Sequence, residues 1–190
     1  MDQTENIIKK IFKTPHVLDL LGQLEFEIQK NPTASDYFMI QNFVPPLVIA
    51  KDASGGEFGL VSKGSEEILV YATSEGAAGV PAPNLKSYLS LLVAAPNWRD
   101  LCKFSAGGQI AEMKKAWKFI ADENETSEAK RTAVRQALGL DLISDPAQSI
   151  HQNILHFQKQ IRIFSIDGQS EFESLFGPFK IEDNPFYRNK

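Results

Sequence analysis

Residues 52–79 read DASGGEFGLVSKGSEEILVYATSEGAAG, and this stretch limits the possible folds more than any other. It follows a short apolar run at residues 47–50. Asp52-Ala53-Ser54-Gly55-Gly56 then makes a turn in which both glycines are free to take positive φ. Residues 57–62 return as a second strand, Lys63-Gly64-Ser65 turn again, and residues 68–73 form a third. In that third strand Ile68, Val70 and Ala72 share one face, while Leu69, Tyr71 and Thr73 share the other. A strand apolar on both faces belongs in the middle of a sheet. Three strands joined by such short loops imply an antiparallel meander.

The flanking segments read mainly as helices. Ile7, Ile8, Ile11 and Phe12 fall at helical spacing. Thr14-Pro15 is a helix start, and Val17, Leu21, Leu24 and Ile28 make one apolar stripe that the spacing carries on to Asn31-Pro32. Residues 33–46 fit helix and strand equally well, and Pro45-Pro46 closes them. After the meander, residues 74–79 are expected to leave the sheet through small side chains, along a tight backbone path or close against another element. Pro81 and Pro83 keep the next residues extended.

Helical periodicity resumes with Leu85, Tyr88, Leu89, Leu92 and Val93, and Pro96 stops it. Further helices are predicted over residues 97–104, around Ile110, Met113, Trp117 and Ile120, and from about residue 126 to 138, where Gly139 suits a C-terminal cap. Asp145-Pro146 opens another helix, with Ile150, Ile154, Phe157 and Ile161 on one face. Residues 162–166 favour a strand ahead of the Asp167-Gly168 turn. The density of Phe172, Leu175, Phe176 and Phe179 predicts a docked tail. Strands cluster here rather than alternate with helices, so the class is α+β, with a mainly antiparallel sheet (central meander about residues 47–74) covered by helices from both termini. The expected organisation is one domain over residues 1–190: N-terminal helices in 1–46, the sheet core in 47–83, a helical cover in 84–161, and a closing strand with docked tail in 162–190.

Charge narrows the function classes. A net charge of −4 and a pI near 5.4 argue against nucleic acid as a partner, which demands a basic stripe. The whole acidic excess lies in residues 1–100, with 8 Lys/Arg against 12 Asp/Glu, and residues 101–190 balance at 12 against 12. Its centre is the β-rich stretch, where Asp52, Glu57, Glu66, Glu67 and Glu75 face only Lys51 and Lys63. Most such clusters are solvated faces of a hairpin. A single cysteine, Cys102, excludes an internal disulfide and suggests a reducing compartment. No secretory leader and no run of about 20 apolar residues is visible, so the expected location is cytoplasmic, without a membrane partner.

No catalytic or cofactor motif emerges. His151 and His156 are five apart on one predicted helix, about 140° around its axis, whereas paired metal ligands sit at i, i+3 or i, i+4. No metal and no cofactor is expected. Cys102, beside Leu101 and Phe104, reads as a small buried hydrophobe. There is no Gly-x-Ser-x-Gly. Gly55-Gly56 lies between strands, and Gly107-Gly108 opens a helix without the Lys-Ser/Thr of a phosphate loop. Lys114, Lys115, Lys118, Arg131 and Arg135 lack the interleaved aromatics of a nucleic-acid platform. Trp98-Arg99-Asp100, just after a helix-breaking proline, fits either a brace at a helix corner or an interface anchor.

The runs PPLVIAKDASGGEFGL, ILVYATSEGAAGV and LKSYLSLLVAAPNWRDLCKFSAGG resemble the bacterial branch of the SUKH superfamily, a group that also includes fungal cell-wall-assembly regulators. The features that match are the proline before the first strand, the Asp-x-Ser-Gly-Gly-Glu-Phe hairpin, the Ser-Glu-Gly exit, and the leucine-rich helix ending in Pro-x-Trp-Arg-Asp. They span roughly residues 43–108. The turn carries Asp-Ala where Asp-Gly is common, and the helices after residue 109 have no counterpart. The resemblance implies an α+β fold, no enzymatic activity, and a role as an immunity protein that binds a toxin, often a nuclease, and occludes its active site. Charge placement then puts the partner-binding carboxylates at Asp52, Glu57, Glu66, Glu67 and Glu75. The alternatives are a scaffold or regulatory module without a toxin partner, and an unrecognised small-molecule binder or hydrolase.

Overall fold

A computed structural model of the chain describes residues 3–64, 66–121 and 126–187, and of Lys63 only the backbone. Ser65 of the second turn and the helix interruption at Asn124 lie outside the described residues. The N-terminal part runs α1 (Gln3–Phe12), α2 (Pro15–Gln23), β1 (Glu27–Ala34) and β2 (Phe38–Ile40). The sheet core comes after it as β3 (Leu47–Lys51), β4 (Glu57–Lys63), β5 (Glu66–Ala72) and β6 (Ala77–Ala82). Five helices come next: α3 (Leu85–Ala94), α4 (Trp98–Lys103), α5 (Ile110–Ile120), α6 (Glu128–Leu138) and α7 (Pro146–Gln158). Short strands β7 (Ile163–Ser165) and β8 (Glu173–Ser174) and a 3-10 turn (Ile181–Asp183) finish the chain.

The expected meander is present. β3, β4 and β5 are antiparallel neighbours, and β4 and β5 pair without a break from Glu57↔Ala72 to Lys63↔Glu66. The full sheet has the order β1-β3-β4-β5-β6-β8, antiparallel except for the final β6–β8 pair. β5 is central and apolar on both faces, as its sequence demands. Phe58, Leu60, Leu69 and Tyr71 join the helices in the larger core, which gathers residues from Ile7 to Ile181. Val61, Ile68, Val70 and Ala72 face a second core with Phe38, Ile40, Ile161 and Ile163. That second face is covered by the separate β2–β7 ribbon, so helices are not the only cover, and the closing strand at residues 163–165 pairs outside the main sheet.

Two sequence expectations fail for local reasons. The second helix stops at Gln23 instead of running to Asn31, because Glu25 takes a left-handed conformation at φ 56. The amide of Glu25 bonds the Gly22 carbonyl at 3.0 Å, and that of Phe26 bonds the Leu21 carbonyl at 2.9 Å, a Schellman ending with glutamate where glycine is usual. Phe26 is thereby fully buried, and Ile28 belongs to β1 rather than to the helical stripe. Residues 74–79 do not leave the sheet either. The chain reverses through Gly76 at φ 89 and returns as β6. Pro81 is tolerated in β6 because the β5–β6 register slips between Leu69 and Tyr71. The close approach expected there is real, since a Cβ on Gly79 would stand 3.1 Å from Leu175.

The tail docks as its phenylalanines foretell. Gly177 donates to the Cys102 carbonyl at 2.9 Å, and its own carbonyl accepts from the Gly107 amide at 2.8 Å and the Ser105 hydroxyl at 3.1 Å. A Cβ at Gly177 would sit 2.6 Å from the Lys103 carbonyl oxygen, a backbone atom that cannot swing aside. Gly177→Ala is therefore expected to destabilise by about 1–3 kcal/mol, as overpacking does. Hydrogen exchange checks the location: amides of residues 173–179 and of Ala106 and Gly107 should lose protection while the β4–β5 ladder keeps it.

Candidate functional site: a buried Asp–Tyr–Arg network under an open cleft

The first hairpin turn is built around the Asp52 carboxylate. Its Oδ1 accepts from the Ser54 amide at 2.9 Å, the Ser54 hydroxyl at 2.8 Å and the Gly56 amide at 2.8 Å, and so closes an Asx turn. Its Oδ2 accepts from the Tyr71 hydroxyl at 2.5 Å and lies 3.4 Å from Arg99 Nη2. Of the glycine pair only Gly55 takes a positive φ. Gly56 is required for a different reason: a Cβ there would meet Asp52 Oδ2 at 2.6 Å and the Tyr71 ring at 3.0 Å.

Arg99 ties this turn to the rest of the molecule. Its Nε donates to the Tyr71 oxygen at 3.1 Å, its Nη1 to Glu25 Oε2 at 2.7 Å, and its Nη2 to the Glu25 carbonyl at 3.3 Å. The guanidinium carbon lies 5.2 Å from the Tyr71 ring centre and 5.4 Å from that of Trp98. One side chain thus joins β5, α4 and the strained corner after α2, and the two bonds to Glu25 help hold that residue left-handed. Arg99 pairs with Asp52 and Glu25 across 47 and 74 positions of sequence.

Burial, hydrogen bonds and the Arg99 charge shift these groups in different directions. Burial alone would raise the Asp52 carboxyl, but the hydrogen bonds from Tyr71, Ser54 and Gly56 and the Arg99 charge together keep it below its ordinary range. Burial pushes the Tyr71 phenol well above its ordinary value, the Asp52 hydrogen bond adds to the rise, and the Arg99 charge opposes it. Cys102 is buried, and desolvation lifts its thiol to about 12, so it stays protonated and poorly nucleophilic at neutral pH.

The carboxylates expected to form one acidic face do not. Asp52 and Glu57 are turned inward, 5% and 3% exposed. Glu57 accepts from the Ser35 hydroxyl at 2.7 Å and pairs with Lys51 at 2.8 Å, so it ties the hairpin to the segment before β2. Glu66 is exposed and Glu67 half-buried at one end of β5. Glu75 is exposed beyond the other end, about 20 Å away at strand spacing. The histidines are apart in function too: His151 Nε2 donates to the Gly108 carbonyl at 2.9 Å, and His156 accepts from Gln160 at 2.6 Å. Among the described residues no group of three His, Cys, Asp or Glu is placed to hold a metal, and no helix is long and apolar enough to cross a membrane.

Above the network opens a cleft of about 400 Å³. Its walls are the Thr73–Ala77 turn (residues 73–77), helix α4 and the tail from Glu173 to Phe179. Sequence reasoning singled out Glu75 but not Glu173, Lys103 or the Tyr71–Arg99 pair. Glu173 reaches the cleft only through the parallel β6–β8 pairing, and no local pattern in a two-residue strand announces that.

Comparison with protein-family models, with curated proteins and with solved structures finds no match to this chain.

Proposed function

We propose that the chain is a non-enzymatic protein-binding module, an immunity protein of the kind its resemblance to the SUKH superfamily implies, which neutralises a toxin by covering its active site. The observation that carries this reading is how the chemistry-bearing groups are used. Asp52, Tyr71 and Arg99 are engaged with one another, with the turn and with Glu25, Glu57 is held by Ser35 and Lys51, and the one thiol is held protonated. Glu66 and Glu75 stay at the surface of the acidic half of the chain. Exposed carboxylates at the ends of the sheet suit attraction of a basic partner surface, with long-range charge speeding encounter and an apolar centre supplying affinity.

The test is co-expression with a candidate modular toxin, sought first among the neighbouring genes. The expected result is rescue of growth and a nanomolar complex whose association slows with salt. Charge reversal at Glu66 and Glu75 should slow association on the order of tenfold, with dissociation little changed. Unrelieved toxicity together with several weak partners would instead favour a scaffold.

A further inference from the structure

We infer that the cleft between α4, the β5–β6 turn and the tail receives an arginine side chain presented by the protein partner, with Glu75 and Glu173 as its carboxylate lip. The inference rests on the proposed immunity role for the partner and on the cleft for the chemistry.

Glu173 lies opposite Ala77 in the parallel β6–β8 register, and its amide donates to the Gly76 carbonyl at 2.9 Å. This fixes Glu173 and Glu75 on the same rim, both exposed. Neither carboxylate has an ion-pair partner among the described residues. Of the cations that line the cleft, Arg99 is bound to Glu25, Asp52 and Tyr71, and the Lys103 ammonium, on α4, lies 5.7 Å from the Phe104 ring centre. The lip is therefore acidic.

The lining mixes polar groups with apolar and aromatic ones. Phe176 is half-buried there and Phe179 is 48% exposed at its edge, while Trp98, Cys102 and Leu175 are buried in its wall. A side chain that matches both parts needs a cationic head and a flat or aliphatic body. Arginine has both: its guanidinium stacks on aromatic faces and can engage two carboxylates at once, whereas a lysine ammonium is a strongly hydrated point charge. The cleft volume, about 400 Å³, falls in the range of sites that enclose a small ligand. A charge pair formed inside such a recess is screened less than one on open surface. A phosphate or acidic peptide would meet the two carboxylates and be repelled.

The experiment is a titration of the full ¹⁵N-labelled chain, followed by amide and indole shifts, with Nα-acetyl-arginine amide and, separately, inorganic phosphate. Nα-acetyl-arginine amide is expected to shift the amides of Ser74, Glu75 and Gly76 and resonances of Lys103 and Phe179, while phosphate leaves them in place. The double variant Glu75→Gln/Glu173→Gln should weaken this binding on the order of tenfold or more, and Glu66→Gln should not change it. Both substituted side chains are exposed, and an unchanged thermal midpoint verifies the fold of the variant. Arginine shifts that survive in the double variant, or phosphate shifting the same amides, would overturn the inference. Failure here is separable from failure of the immunity reading. A toxin complex that forms at full affinity with the double variant removes the cleft and leaves immunity, whereas arginine binding by a chain that protects against no toxin keeps the cleft and removes immunity.

Discussion

Asp52→Ala is expected to destabilise the chain by about 3–5 kcal/mol, the range for removing one partner of a buried ion pair. The carboxylate serves as acceptor for the Ser54 amide, the Gly56 amide and the Tyr71 hydroxyl, all of which lose it together. Arg99 keeps Glu25 and some access to water, so the orphaned donors at the turn carry most of the cost. Urea unfolding at neutral pH should show a lower midpoint with an unchanged slope. Tyr71→Phe should cost less, about 1.5–3 kcal/mol, and the double variant should cost less than the sum of the two, since both remove one shared bond. The pH dependence is set by the direction of the carboxyl shift. A group whose folded value lies below its unfolded value of about 3.9 lends stability above that pH and loses it as pH falls through the folded value. The gap between the native chain and Asp52→Ala should therefore be widest near neutrality and close on acidification below about pH 4.

Trp98→Ala is expected to be of similar size, about 3–5 kcal/mol, through the cavity left by a fully buried indole. Trp98 packs edge-on to Tyr71 at 5.4 Å and to Tyr88 at 5.9 Å, so its loss loosens the aromatic cluster that positions the phenol for Asp52. The thermal midpoint should fall on the order of 10 °C for a chain of this size. Trp98→Phe, which keeps a ring in place, should recover part of the loss. A midpoint that moves by only a degree or two would mean the site collapses around the missing ring, against the dense packing of this core.

The α+β class and the central meander are legible in the sequence because a two-residue periodicity and glycine turns are local properties, and β4–β5 obeys them residue by residue. The helix starts at Asn84 and Asp145 are legible for the same reason, each capping the amide three positions on, at Ser87 and Gln148. What escapes depends on distance along the chain. The stripe Val17, Leu21, Leu24, Ile28 looks helical throughout, and nothing local reveals that Arg99 will hold Glu25 left-handed and end the helix early. The acidic ribbon reads as one face because alternation predicts which side a residue takes but not whether a partner comes to bury it. Ser35 and Tyr71 do so for Glu57 and Asp52. The cleft escapes entirely, since it needs residues 173–179 laid against residues 73–77 and 98–103.

That last arrangement has a consequence for biosynthesis. The β3–β5 meander pairs strands that are translated one after another, whereas one wall and one of the two lip carboxylates of the cleft come from residues 173–179, translated long after the Thr73–Ala77 turn they face. A chain cut before Glu173 would therefore keep the strands of the meander and lack the tail wall of the cleft.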